Sequence, residues 1–314
     1  MSGPGPVSNP GADGGLSWGK RFLMCPPEHF GVAYEINPWM HAEVRPDLDL
    51  AREQFDHLAA TLLSAGAKVE LQDPVDGVPD LVFTANAGIV NGAQFVPSHF
   101  RHPQRQAETP HDVAWFAERG WRVDHLPQGL AHEGAGDALP FTPEVGPGVP
   151  NGGEAVLLSG YRLRSEAASH GPLSALVGAP VRSVELVDER LYHLDLVFCP
   201  LDGRRAMVAP LGLDTYGTTV VKALVPELLV LEDGEALAFV ANSVVVGRHI
   251  VMPCCPPRVG RTLEGWGFTP VEVPVGEFQK AGGGCRCLTL ALDVVLGEPA
   301  PGVDHTPPGR EAAG

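Results

Sequence analysis

The chain has 314 residues, a formal net charge of −16 and 44% hydrophobic residues. That apolar content supplies a sizeable core and excludes a disordered polymer. The acidic balance excludes a nucleic-acid partner, which calls for a basic footprint, and no run reaches the ~20 apolar residues that a membrane-spanning helix needs.

Residues 1–16 and 299–314 are rich in Gly, Pro and small residues, and are expected to be disordered tails around one domain over 17–298. Within it, 38 Gly and 31 Pro over the whole chain predict many turns and short elements. Leu48–Ala65 reads as a helix, with Leu50, Phe55, Leu58, Leu62 and Leu63 near one face. Short apolar runs then read as strands: Leu81–Phe83, Gly88–Val90, Gln94–Val96, Ala155–Leu158, Leu194–Phe198, Ala206–Val208, Val244–Val246 and His249–Met252. Between them Thr109–Arg119, Glu166–Val177, Thr215–Leu224 and Pro257–Trp266 read as shorter helices. The Pro/Gly-rich stretch Phe141–Gly153 reads as a long surface loop or lid.

The chain echoes itself. Phe83-Thr84-Ala85-Asn86 runs on to Val96-Pro97, and Phe239-Val240-Ala241-Asn242 runs on to Met252-Pro253 at the same separation. Asp195–Phe198 running on to Ala209-Pro210 is a looser copy of Asp80–Phe83. Repeated strand–turn–strand units imply a closed, radially repeated α/β body.

Reactive residue types gather at a few places. Gly282-Gly283-Gly284-Cys285-Arg286-Cys287-Leu288-Thr289 runs a glycine triplet into an apolar strand pattern, where a ligand approaches the backbone closely and a thiolate finds backbone N–H groups. Period-two geometry puts Cys285 and Cys287 on one face, so either sulfur is a candidate nucleophile. A cysteine enzyme also needs a proton carrier and an orienting acid. His193 and Asp195, one residue apart, would share a strand face. Glu133 and Asp137 flank a glycine-rich bend, and His41 and His132 adjoin motifs. Asp80, Asn86 and Asn37 complete the polar candidates, although Asn at the last two also suits a turn. The six cysteines, with Cys25, Cys199, Cys254 and Cys255 read as small hydrophobes, show no zinc-type spacing. Free thiols in a reducing cytosol are expected, as is the lack of a signal peptide.

Taken in order, Asn37-Pro38-Trp39-Met40, Phe83-Thr84-Ala85-Asn86, Arg101-His102-Pro103, Glu133-Gly134-Ala135-Gly136-Asp137, His193-Leu194-Asp195 and Gly282–Thr289 resemble the guanidino-group-modifying enzymes. That family includes amidinotransferases, arginine deiminases, dimethylarginine dimethylaminohydrolases and a bacterial arginine dihydrolase, and the resemblance spans Arg21–Leu296. It implies a five-bladed α/β propeller, the pentein fold, with the site on the central axis and no cofactor or metal. It implies Cys287 as nucleophile, because the next two residues are apolar and Thr, and His193 as acid/base. It implies Glu133 and Asp195 as guanidinium-binding carboxylates, with Arg105 and Arg164, or Arg101, for a substrate carboxylate. Asn86, where deiminases and dimethylarginine hydrolases carry an acid, together with Asn37, is similar to the dihydrolase subgroup. The expected activity is therefore hydrolysis of a small guanidino substrate, arginine to ornithine, ammonia and CO2. Dimethylarginine hydrolysis and amidine transfer are its rivals, and an arginine-binding protein is the non-enzymatic one. A homo-oligomer is left open.

Overall fold

The computed structural model describes residues 16–144 and 153–297. The two expected tails thus lie almost wholly outside the described residues, as do 145–152 of the expected loop.

Among the described residues fifteen short strands form five three-stranded sheets. In chain order these are β1 (Arg21–Met24), β2 (Lys68–Leu71), β3 (Gly88–Asn91), β4 (Gln94–Pro97), β5 (Arg122–Val123), β6 (Ala138–Phe141), β7 (Val156–Tyr161), β8 (Val181–Glu185), β9 (Phe198–Pro200), β10 (Arg205–Val208), β11 (Glu227–Val230), β12 (Val244–Val246), β13 (His249–Met252), β14 (Thr269–Glu272) and β15 (Leu290–Ala291). Four sheets repeat one rule. An antiparallel pair is followed by a crossover helix and a parallel third strand, as in β3-β4-β5, β6-β7-β8, β9-β10-β11 and β12-β13-β14. The crossover helices are Thr109–Glu118, His170–Val177, Thr215–Leu224 and Pro257–Gly265. A parallel neighbour demands such a crossover, whereas an antiparallel one needs only a tight turn.

The fifth sheet obeys the rule with its pieces permuted. β1 is joined to β2 through the helix Leu48–Ser64, and its antiparallel partner is β15, from the other end of the chain, with Phe22 opposite Ala291. The result is a five-bladed α/β propeller in which the last blade is shared between the two ends.

The inner two strands of each blade are nearly all buried, with Leu23, Phe95, Leu139, Phe198 and Ile250 at 0% exposure, whereas the parallel outer strands β2, β5, β8, β11 and β14 are partly exposed. On the helix Leu48–Ser64 the buried stripe is Ala51, Phe55, Leu58 and Leu62. Leu50 and Leu63, expected on that stripe, point to solvent at 39% and 54% exposure. The apolar arc is narrower than the leucine count suggests, and the small Ala51 brings the helix down onto the sheet.

Three expected strands are turns. Leu81–Phe83 lies in the 3-10 helix Pro79–Val82 and its cap, and Leu194–Leu196 is a 3-10 helix, so only Phe198 of that run starts a strand. The stretch Cys285–Leu288 is also a turn, closed by the Thr289 amide donating to the Arg286 carbonyl. Short buried apolar runs carry no period that separates strand from turn. Tertiary hydrogen bonds decide, here that of the Leu194 amide to Asp137 Oδ1 at 3.0 Å.

Candidate active site

The propeller places chemistry by rule. The turn before the first strand of each blade carries a polar residue: Asn86 before β3, Glu133 and Asp137 before β6, His193 and Asp195 before β9, Asn242 before β12, and Cys287 before β15. Seven of the nine site residues expected from sequence line one pocket: Asn37, Asp80, Asn86, Arg105, Arg164, His193 and Cys287. The other two stand directly behind its wall. Glu133 accepts from His193 Nε2 at 2.8 Å, and Asp195 Oδ2 accepts from the Cys287 thiol at 3.4 Å.

Cys287 is 4% exposed. Burial pushes its thiol well above the usual range, and the neighbouring Asp195 adds to this, so the resting sulfur is protonated. Asn242, absent from the residues singled out in the sequence, grips this turn. Its Nδ2 donates to the sulfur at 3.1 Å, and its Oδ1 accepts from the amides of Arg286 and Cys287 at 3.0 and 3.2 Å. The signal was visible, since Asn242 occupies the place of Asn86 in the internal repeat. It served there as evidence of symmetry, not of chemistry. Cys285, two residues away, is fully buried and points elsewhere, its thiol donating to the Val273 carbonyl at 3.5 Å.

Glu133 is wholly buried and also takes a cation, Arg164, whose Nη1 donates to Oε2 at 3.0 Å. Burial alone would raise this carboxyl. Arg164 and His193 overcome that and hold it below the ordinary carboxylate range. His193 is lowered to about 4, chiefly by burial, which outweighs the raising effect of Glu133. The pair is therefore an ionised carboxylate holding a neutral imidazole, which fixes the ring orientation. Asp195 is raised to about 7 by burial against the pull of Arg286, and its Oδ1 has no hydrogen-bond partner. Asp80 is likewise pushed up by burial, accepts from Tyr34 Oη at 2.9 Å on Oδ2, and leaves Oδ1 unpartnered.

The two arginines expected for a substrate carboxylate are held by protein carboxylates here. Arg105 makes a fork of two 2.7 Å bonds to Glu108 and donates from Nη1 to Asn86 Oδ1 at 3.0 Å. Arg164 lies across Glu133 and over the Tyr192 ring at 4.6 Å, with Nη2 on the Ile36 carbonyl at 3.1 Å. Arg101, the third candidate, meets Glu166 at the surface. Asn86 is shared between Arg105 and the Glu133 carbonyl, to which its Nδ2 donates at 3.0 Å. Asn37 braces rather than probes: Oδ1 accepts from Trp39 N and Nδ2 donates to the Ala281 carbonyl. Asp137 anchors the adjoining turns, accepting from Ser165 and from the Leu194 amide.

Glycines at the pocket are required by closeness. A Cβ on Gly283 would stand 2.2 Å from the Phe83 ring, and one on Gly136 would stand 2.2 Å from Asn86 Nδ2. The pocket itself is tight, with room for roughly one water. A wider vestibule adjoins it across Ile36, Asn37, Arg164 and Tyr192, with Glu35 and Glu189 on its walls. Among the described residues no group of three or more His, Cys, Asp or Glu is arranged to hold a metal ion. Nor is any described helix long and apolar enough to cross a membrane.

No family model matches the chain. It is 41% identical over 275 residues to the bifunctional arginine dihydrolase/ornithine cyclodeaminase ArgZ of Synechocystis sp., covering 87% of this chain and 37% of that protein. The chain thus spans just over a third of that relative's length. It is 36% identical over 273 residues to the N(G),N(G)-dimethylarginine dimethylaminohydrolase of Mycobacterium tuberculosis, covering 87% of this chain and 86% of that one. Among solved structures, the N-terminal domain of a mutant ArgZ bound to substrate, an arginine dihydrolase from the ornithine-ammonia cycle in cyanobacteria, superposes with a TM-score of 0.80. Its identity is 41%, over 87% of this chain and 97% of that one.

Proposed function

The chain belongs to the guanidino-group-modifying family of the arginine dihydrolases and dimethylarginine dimethylaminohydrolases, and on that premise we propose that it is a cysteine-dependent arginine dihydrolase. The observation that carries this reading is the convergence of Cys287, the His193–Glu133 pair and the amide of Asn86 on one pocket. Comparison with the substrate-bound ArgZ domain supports it.

Free L-arginine enters through the acidic vestibule, and its guanidinium replaces that of Arg164 on Glu133. Arg164, released, turns to the α-carboxylate, so one buried charge pair exchanges for two. The unpartnered oxygens of Asp195 and Asp80 complete the cationic site, since a buried carboxylate without a donor is costly until a cation arrives. The incoming charge favours the thiolate. Cys287 Sγ bonds to the central guanidinium carbon, and the thiol proton passes by way of His193 to the departing nitrogen, which leaves as ammonia. His193 then takes a proton from water, whose oxygen adds to the S-alkyl-thiouronium carbon; the C–S bond breaks, His193 returns the proton to the departing Cys287 sulfur, and the ureido product is released. In a dihydrolase the same round repeats on that product, giving ornithine, a second ammonia and CO2. Asn86 presents a neutral amide where a carboxylate would repel the electron-rich ureido oxygen, so the intermediate stays and reacts again. We assign this activity to one unit over 17–298 acting in the cytosol, in keeping with six free cysteines.

The test is product analysis of purified protein with L-arginine and, in parallel, dimethylarginine. Ornithine with twice its amount of ammonia is expected from arginine. Citrulline alone would reduce the function to a one-round hydrolase, named by the faster substrate. No turnover of either would move it to amidine transfer or arginine binding.

A further inference from the structure

Asn242 is 0% exposed, yet both its amide hydrogens and its carbonyl oxygen are engaged. One N–H donates to Cys287 Sγ at 3.1 Å and Nδ2 also reaches the Asp195 carbonyl at 3.2 Å, while Oδ1 accepts from two successive amides of the cysteine turn. The surroundings are shaped to let it do so. A Cβ on Gly284 would stand 2.6 Å from Asn242 Oδ1, so only glycine admits the amide there. The turn that presents it begins at Phe239, one of two described non-glycine residues with positive φ, at 62°. Such a conformation costs free energy and persists where the surroundings over-determine it. The echoing turn in the blade β3-β4-β5 starts at Phe83 with an ordinary φ of −86° and delivers Asn86 to a different task.

We propose that Asn242 positions and activates the Cys287 sulfur: its carbonyl oxygen locks the turn and its N–H stabilises the thiolate at the moment of attack. The backbone of Gly284 also favours the thiolate, but no other side chain facing the sulfur supplies this. Asp195 accepts the thiol proton's hydrogen bond and opposes ionisation, and Tyr192 is a buried neutral phenol on the pocket wall. Arg286 acts only at a distance, since its guanidinium lies over the Trp18 ring and makes no hydrogen bond to the sulfur. An amide donor suits the task because it bonds to the sulfur in either state and more strongly to the anion, while carrying no charge that would compete for the cationic substrate. This inference rests on Cys287 being the nucleophile of the proposed function.

Its test reads the sulfur directly. Asn242→Asp preserves the shape and the acceptor but replaces the donor by an oxygen. The rate of iodoacetamide alkylation at Cys287, followed by mass spectrometry across pH, should shift to higher pH by about one unit or more, an alkylation roughly tenfold slower at a given pH. The kcat for arginine should fall alongside, with KM little changed. Should Asn242→Asp not fold, Asn242→Leu removes the donor without adding charge and should shift the profile in the same direction by less. A folded variant of either kind with the wild-type alkylation profile overturns the proposal and leaves Asn242 as a turn former. Because alkylation needs no turnover, its outcome is separate from that of the product analysis: a shifted profile in a protein inert to arginine would retain Asn242 and sink the substrate.

Discussion

Cys285 and Cys287 stand two residues apart and meet opposite fates. The turn over Cys285–Leu288 sends the first sulfur to the Val273 carbonyl and the second to the pocket wall. Cys287→Ser should therefore lower turnover by roughly a thousandfold or more, as removal of a nucleophile does, while Cys285→Ser keeps most of it. The reverse result in a steady-state assay would transfer the role. In the proposed reaction Asn86 is the residue on which the number of rounds turns; its Oδ1 is tied to Arg105 and its Nδ2 to the Glu133 carbonyl. Asn86→Asp should raise the fraction of citrulline among the products from arginine, and an unchanged ratio by chromatography would remove the role given to this amide. Cys287, His193, Glu133 and Asn86 were legible in the sequence because the motifs that carry them are local strings. Asn242 was not, since its partners lie about 45 residues away and nothing local tells a turn-forming Asn from one that grips a sulfur.

Between residue and fold stands the blade β6-β7-β8, where a buried polar chain ties the helix His170–Val177 to its sheet. His132 Nε2 meets Ser159 Oγ at 3.3 Å, Ser159 Oγ meets His170 Nε2 at 3.1 Å, and His170 Nδ1 meets Ser183 Oγ at 2.7 Å. His132, next to Glu133, also accepts from the Gly134 amide on Nδ1. Burial lowers His132 to about 3 and His170 to about 4, so both rings stay neutral in the fold. The unfolded chain takes up protons on these rings below about 6.5, so stability from the pair is full above that pH and is lost as pH falls toward 4. The gap in Tm between wild type and His170→Gln should accordingly be largest near neutral pH and narrow between about pH 6.5 and pH 4. A gap independent of pH would mean that the ring does not titrate in this way. The helices of the blades and the strands β3, β4, β7, β10, β12 and β13 were readable from apolar runs between turn residues, whereas the partly exposed outer strands β2, β5, β8, β11 and β14 were not. The 3-10 turns at Pro79–Val82 and Leu194–Leu196 were not, because a buried run of three or four apolar residues fits either form until its amides find partners.

At the scale of the molecule the ring is closed by pairing its two ends, β1 with β15, and the closure is reinforced by Asp293, which accepts from the amides of Gly19 and Lys20 at 2.9 and 2.8 Å. Since Cys287 lies three residues before β15, closure and delivery of the proposed nucleophile are one event. Asp293→Ala should cost about 1–2 kcal/mol, a loss of a few °C in Tm, with a matching loss of Cys287 alkylation selectivity over Cys285 as the blade loosens. A melt unchanged in calorimetry would show that strand pairing alone holds the ring.

The sequence by itself determined the family and most of the groups that line the pocket, because the proposed nucleophile, acid/base and carboxylates sit in short strings whose residue types chemistry restricts. It also determined the repeat, since equal spacing of like strings reflects equal blades. Only the tertiary structure decided that Arg105 and Arg164 rest on Glu108 and Glu133, that Asn242 holds the cysteine turn, and that the first and last strands share a blade. Each of these joins positions distant in the chain through a hydrogen bond or ion pair. Such pairings depend on where the blades bring their turns together, and no local pattern of residues records that.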